Sequence, residues 1–135
     1  MPARSFFDTN VLIYAVSHGD SRSDVAESLL AGGGVLSAHI LNEFVAVARR
    51  KLGRSWDEIQ DALAAFRTLC PSPVPITIET HETAVHIAQQ HGYQIYDALV
   101  IAAALEAGCD TLFSEDLQDG QTLGGQLTIR NPFKT

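Results

Sequence analysis

The chain has 135 residues, of which 46% are hydrophobic, so it is the size of one ordinary domain and can bury a core. No apolar run approaches the roughly 18 residues that span a bilayer, and no low-complexity stretch suggests disorder. A net charge of −7 is the wrong sign for a general nucleic-acid binder, which is normally basic.

Met1 to Ser5 leads straight into a strand-like segment without the charged, apolar and small-residue regions of a signal peptide, so the expected location is cytoplasmic. Cys70 and Cys109 are isolated, with no metal-type spacing, and are expected as free buried thiols. The five histidines contain no HxxxH pair; His81, His86 and His91 are five apart and share no helix face.

Strand and helix signals alternate along the chain. Ser5 to Phe7 reads as a short buried strand, followed by a brief helix from Asn10 to Val16. Ser21-Arg22-Ser23-Asp24 resembles a capping box that opens a helix ending near Gly32. Val35 to Ser37 reads as a second strand, and Ala38 to Leu52 as a helix stopped by Gly53. Ser55 and Glu58 form a second capping box, for a helix running to about Leu69. Pro71, Pro73 and Pro75 break that helix, and Val74 to Ile78 is a third strand candidate. Thr80 is placed as the cap of a helix that reaches His91 and closes at Gly92. Asp97 to Ala107 reads as a buried helix closed by Gly108, Thr111 to Phe113 as a fourth strand and Leu127 to Ile129 as a fifth. This alternation predicts an α/β fold with a mainly parallel sheet, in one domain over residues 1–135, with no linker or repeat.

Four acids stand where a folding argument would not put them. Asp8 ends the strand-like run of Phe6 and Phe7 and precedes Val11-Leu12-Ile13. Glu43 interrupts the apolar face made by Ile40 and Val47. Asp97 is followed by eight apolar residues, Ala98 to Leu105, and Asp116 follows Thr111 to Ser114. Each has an ordinary alternative: Asp8 and Asp97 as helix caps, Glu43 reaching out to solvent, and Asp116 as a turn residue. In open parallel sheets, sites form outside the carboxyl ends of the strands, which draws all four towards one edge. A divalent cation would offset the cost of desolvating them, and an all-carboxylate set prefers hard ions such as Mg²⁺ or Mn²⁺. Bound cations also answer the charge objection, because they invert the sign of an acidic pocket. Arg49, Arg50, Lys51 and Arg54 offer basic charge for RNA, although cations at a helix C-terminus also complement its dipole. A pair of cations would suit phosphodiester hydrolysis with metal-activated water and no histidine or lysine base.

The segments Phe6-Phe7-Asp8-Thr9-Asn10-Val11-Leu12, Leu41-Asn42-Glu43-Phe44, Tyr96-Asp97-Ala98-Leu99 and Ser114-Glu115-Asp116-Leu117 resemble, in order, the acidic motifs of PIN-domain ribonucleases. More narrowly the chain is similar, over nearly its whole length, to VapC-type toxins of toxin–antitoxin pairs. The resemblance implies a three-layer α/β/α domain with a central, mainly parallel sheet of about five strands. It implies Mg²⁺- or Mn²⁺-dependent endonuclease cleavage of RNA, a homodimer, and inhibition by a small antitoxin. It assigns Asp8, Glu43, Asp97 and Asp116 as metal-holding catalytic residues, with Asn10 and Ser114 as polar support. Whether Glu115 or Asp116 points inward stays open, with Asp116 favoured by its motif position; Asp119 is either a further ligand or the cap of the turn before Gly120.

Four other functions compete. A housekeeping PIN nuclease of RNA processing has the same site, but no accessory RNA-binding domain is evident. A phospho-accepting receiver needs a lysine near a late strand, and neither Lys51 nor Lys134 fits. A phosphatase of the haloacid-dehalogenase type needs an Asp at position 10, where Asn10 stands. A metal-free protein-interaction module remains as the non-enzymatic alternative.

Overall fold

A computed structural model describes residues 4–134. Four strands, β1 (Ser5–Phe7), β2 (Thr111–Phe113), β3 (Thr122–Leu123) and β4 (Leu127–Arg130), form a sheet ordered β1-β2-β4-β3. The β1–β2 and β2–β4 pairs are parallel and β3 pairs antiparallel to β4 at the edge. Beyond β1 the sheet continues through single parallel bridges, Phe6 to Val35 and Ser37 to Val74. The two further strands expected at Val35–Ser37 and Val74–Ile78 are thus only bridged segments. The second is short because Ile78 already belongs to a helix, and the antiparallel β3 was not foreseen.

Among the described residues six helices accompany the sheet: α1 (Thr9–Ala15), α2 (Ser23–Ala31), α3 (Ala38–Arg50), α4 (Trp56–Leu69), α5 (Ile78–His91) and α6 (Ile95–Glu106). The first four pack on one another and α5 packs on α6, completing the expected mixed α/β architecture. Phe6, Phe7, Leu12, Leu36, Ile40, Phe44, Ile101, Leu112 and Ile129 are fully buried and knit sheet to helices. Helix α6 is buried on nearly every side, from Ala98 through Ala104 except Leu99, and its alanines let neighbouring backbone come close.

Two caps differ from expectation. No capping box forms at Ser21–Asp24; α2 starts at Ser23 behind Arg22, whose backbone N–H donates to Asp20 Oδ1 at 2.9 Å. This Asx-type turn competes successfully with the serine cap. Thr77, not Thr80, caps α5: its hydroxyl accepts from the Thr80 N–H, and the Thr80 hydroxyl accepts from the Thr77 N–H, each at 3.1 Å. The Ser55–Glu58 capping box is present as expected. Among the described residues, no helix is long and apolar enough to cross a membrane. Cys70 and Cys109 are free and buried.

Candidate functional site

The register of β1 and β2 sets the site. Phe7 pairs with Phe113, so the next residues, Asp8 and Ser114, emerge side by side at the carboxyl edge of the sheet. The Asp8 N–H donates back to Phe113 O at 3.0 Å, and Ser114 N–H to Arg130 O at 3.0 Å. Both oxygens of the buried Asp8 carboxylate are engaged. Oδ1 accepts from the Thr9 N–H at 2.7 Å, and Oδ2 from the Ser114 hydroxyl at 2.7 Å. Asp8 is therefore the cap of α1 as well as a site carboxylate. Burial pushes it up to about 6, against the pull of these two hydrogen bonds, and the charges of Glu43 and Asp116 add to the rise.

Asp116 is exposed, and its Oδ2 accepts from Asn10 Nδ2 at 2.8 Å. The Ser114 hydroxyl oxygen accepts from the N–H groups of Asp116 and Leu117, both at 3.3 Å, so one serine orders both Asp8 and the loop carrying Asp116. Glu115 turns the other way. Its Oε1 accepts from the Tyr14 hydroxyl at 2.5 Å, and Arg22, which also pairs with Asp20, lies 3.4 Å from Oε2. The Arg22 guanidinium sits over the Tyr14 ring, 3.9 Å from its centroid, and Phe133 meets that ring edge-on. Of the neighbouring acids it is thus Asp116 that faces Asn10. Asp119 accepts from the Asn131 N–H at 2.8 Å and pairs with Lys134, which ties down the C-terminal segment.

Glu43 is half-exposed, on α3. Its Oε1 accepts from the Thr9 hydroxyl at 3.1 Å, and His39 Nε2 lies 3.0 Å away, one helical turn earlier. The ring nitrogen approaches that oxygen closely but is not aligned on it as a hydrogen-bond donor. His39 is the main cause of the lowered proton affinity of Glu43, against partial burial. Asp97 lies in the first turn of α6, not at its cap, because the helix begins two residues earlier at Ile95. Its proton affinity is raised by burial first, then by the charges of Asp116 and Glu43.

Asp8 and Asp97 thus each feel the charges of Glu43 and Asp116, which links the four acids electrostatically. Among the described residues, however, no three His, Cys, Asp or Glu side chains are placed closely enough to hold one metal ion. Glu43 is drawn towards His39 and Thr9, and Asp116 towards Asn10. The donor chemistry still fits a hard cation, since every group is a carboxylate oxygen and Asp8 is buried at a cost that a positive charge would relieve. His39, Thr9, Tyr14 and Arg22 were not picked out as neighbours of the site from sequence. Only His39 left a signal, its spacing of four from Glu43 on one helix.

The sequence profile described as the PIN domain matches residues 5–118, the span from the start of β1 past Asp116. The chain belongs to the PIN-domain family. As a PIN domain it shares its fold with solved structures of low sequence identity. A toxin–antitoxin complex from Klebsiella pneumoniae superposes with a TM-score of 0.72 at 19% identity, covering 97% of this chain and 99% of that one. The VapC20 toxin of Mycobacterium tuberculosis, described as cleaving the sarcin–ricin loop, gives 0.65 at 24% identity over 83% and 91%. FitAcB from Neisseria gonorrhoeae gives 0.69 at 18% over 97% and 99%. No curated protein matches this PIN domain significantly in sequence.

Proposed function

We propose that this PIN domain is a metal-dependent endoribonuclease that acts as the toxin of a toxin–antitoxin pair. The observation that carries the reading is Asp8, a carboxylate buried beside Ser114 at the sheet edge, within the field of Glu43 and Asp116. A site that stores like charge at such a cost is suited to a cation. The family match and the fold shared with VapC20 and with toxin–antitoxin complexes support the nuclease and toxin parts.

Asp8, Asp97, Asp116 and Glu43 would hold Mg²⁺ or Mn²⁺. Such an ion supplies Lewis acidity and a more acidic bound water. The chain's own residues prepare that state. Thr9 N–H and the Ser114 hydroxyl fix the Asp8 carboxylate, which must give up its proton before it can serve as a ligand. Asn10 and Thr9 each donate a hydrogen bond, to Asp116 and Glu43 respectively, which those carboxylates would exchange in part for the ion. In hydrolysis, water adds to phosphorus and the bond to the 3′-oxygen breaks, so the site must receive a proton from the water and accommodate the leaving oxygen's charge.

The partners proposed are unpaired or structured RNA as substrate, a second copy of the chain and a small antitoxin, in the cytoplasm. A depression of about 320 Å³, lined by Ala15, Val16, Phe44, Ile59 and Ala62 together with His18, Arg54, Glu58 and Asp61, contains none of the four acids and suits a partner that offers apolar side chains. The separation of the acids from one another favours one competing reading, a metal-free interaction module. Incubating the protein with RNA, with and without Mg²⁺ or Mn²⁺, separates the two. Cleavage only with the ion, lost in Asp8→Asn, supports the nuclease. Full activity in Asp8→Asn, or no cleavage under any condition, sinks it.

A further inference from the structure

One exposed ring beside the acids has no role in packing or in the site so far described. Tyr96 precedes Asp97 in the first turn of α6, a helix otherwise largely buried, yet 64% of its surface is exposed. One side of the ring lies over His39, with centroids 5.8 Å apart and planes 12° from parallel. His39 in turn stands 3.0 Å from Glu43. The stack is therefore fastened to a site acid at each end, Asp97 through the chain and Glu43 through the histidine.

Proteins read unpaired RNA by stacking splayed bases on aromatic rings, and such stacking tolerates any base. It also suits this chain for an electrostatic reason. At a net charge of −7 the molecule is poorly placed to gain affinity from phosphate contacts, whereas stacking needs no positive charge. Trp56, also exposed, is less available because Arg49 covers its ring at 4.7 Å.

We infer that Tyr96, supported from beneath by His39, is a stacking platform for an unpaired RNA base next to the acidic site. The inference rests on the nuclease reading above and assigns the base contact to one named ring. A base in a duplex is already stacked on its neighbours and has no face to offer.

The test uses the full chain with a short fluorescent single-stranded RNA. Binding is measured in the Asp8→Asn background, and cleavage kinetics with Asp8 intact. Tyr96→Ala should weaken binding roughly five- to hundredfold and raise KM in step, with kcat changed about twofold at most. Tyr96→Trp and Tyr96→Phe should bind nearly as the parent does. A single abasic nucleotide at one position should cost the parent as much as Tyr96→Ala does, and the two losses should not add. Unchanged binding in Tyr96→Ala overturns the platform while leaving the nuclease intact. Equal loss in Tyr96→Phe overturns it too, because the hydroxyl rather than the stack would then matter. So does a change in oligomeric state on gel filtration of Tyr96→Ala, which would make the ring a subunit contact. If the parent neither binds nor cleaves RNA, the nuclease reading and the platform fall together.

Discussion

Asp8 carries two jobs that pull in opposite directions. Its carboxylate caps α1 and receives a hydrogen bond from Ser114, but it is buried, and burial lifts its proton affinity to about 6 from an ordinary 3.8. A group whose folded affinity is raised contributes stability below its unfolded value and loses it as pH rises through the folded value. The window here runs from about pH 4 to about pH 6, and the full effect is on the order of 3 kcal/mol. Without divalent cations the protein should therefore melt higher at pH 5 than at pH 7.5, and Asp8→Asn should flatten that difference and abolish cleavage. Glu43 shifts the other way, so its contribution is lost only on further acidification and does not mask the window. A melting temperature that falls from pH 7.5 to pH 5 would contradict this account. The same carboxyl gives a second expectation. Titrating Mn²⁺ or Mg²⁺ near pH 6 should release protons, seen as a binding heat that varies with the buffer's ionisation enthalpy, and the release should be smaller in Asp8→Asn. At this scale much was legible in the sequence. Asp8 stood out because it directly follows the apolar strand β1, where it also caps α1, and Asp116 because it lies three residues past β2. Asn10 and Ser114 came only through the family resemblance, yet each makes a hydrogen bond to one of those acids. Arg22 and Tyr14 left no trace, because their contact with Glu115 joins segments about a hundred residues apart and no local pattern encodes it.

The elements hold the site through a few tight contacts. Gly34 connects α2 to the bridged segment at Val35, where the backbone runs against β1. A Cβ there would stand 2.5 Å from Phe7 Cε2 and 2.7 Å from Ser5 O. Because one obstacle is backbone, Gly34→Ala should cost about 1–3 kcal/mol and displace β1, which carries Asp8. Chemical denaturation would measure the loss, and activity should fall more than in Ser55→Ala, which removes the remote α4 cap for about 1 kcal/mol. Equal activity in the two variants would show that β1 tolerates the shift. Helix boundaries were read well where a periodic face ran into Gly53, Gly92 or Gly108. They were misread where two polar residues competed for one cap, Thr77 with Thr80 and Ser21 with Asp20. The antiparallel β3 was the least visible, because two paired residues leave no alternation to detect, whereas Val74 was expected in a strand and makes a single bridge.

At the scale of the whole molecule the charge is the governing fact. An acidic domain with an acidic site invites a basic inhibitor. If the proposed antitoxin presents an Arg or Lys to Asp8, Glu43, Asp97 and Asp116, replacing that residue by Ala should restore cleavage while the complex persists in high salt, held by apolar contacts. Unchanged inhibition, with the basic residue remote from the acids in a structure of the complex, would refute this. The pairing of β1 with β2 has a different consequence, one of timing. Asp8 finds Ser114 across 106 positions of sequence, and β1 has no partner strand in the four-stranded sheet until Thr111–Phe113 exists. During synthesis, at about 5–20 residues per second, the first carboxylate waits several seconds for the segment that shapes its surroundings. On the proposed reading the growing chain would therefore be inactive for nearly the whole of its own translation. The surroundings of Asp8 are complete only once Ser114 and the strands that flank it have emerged, so on the proposed reading a ribosome that stalls early would release a chain without a nuclease site.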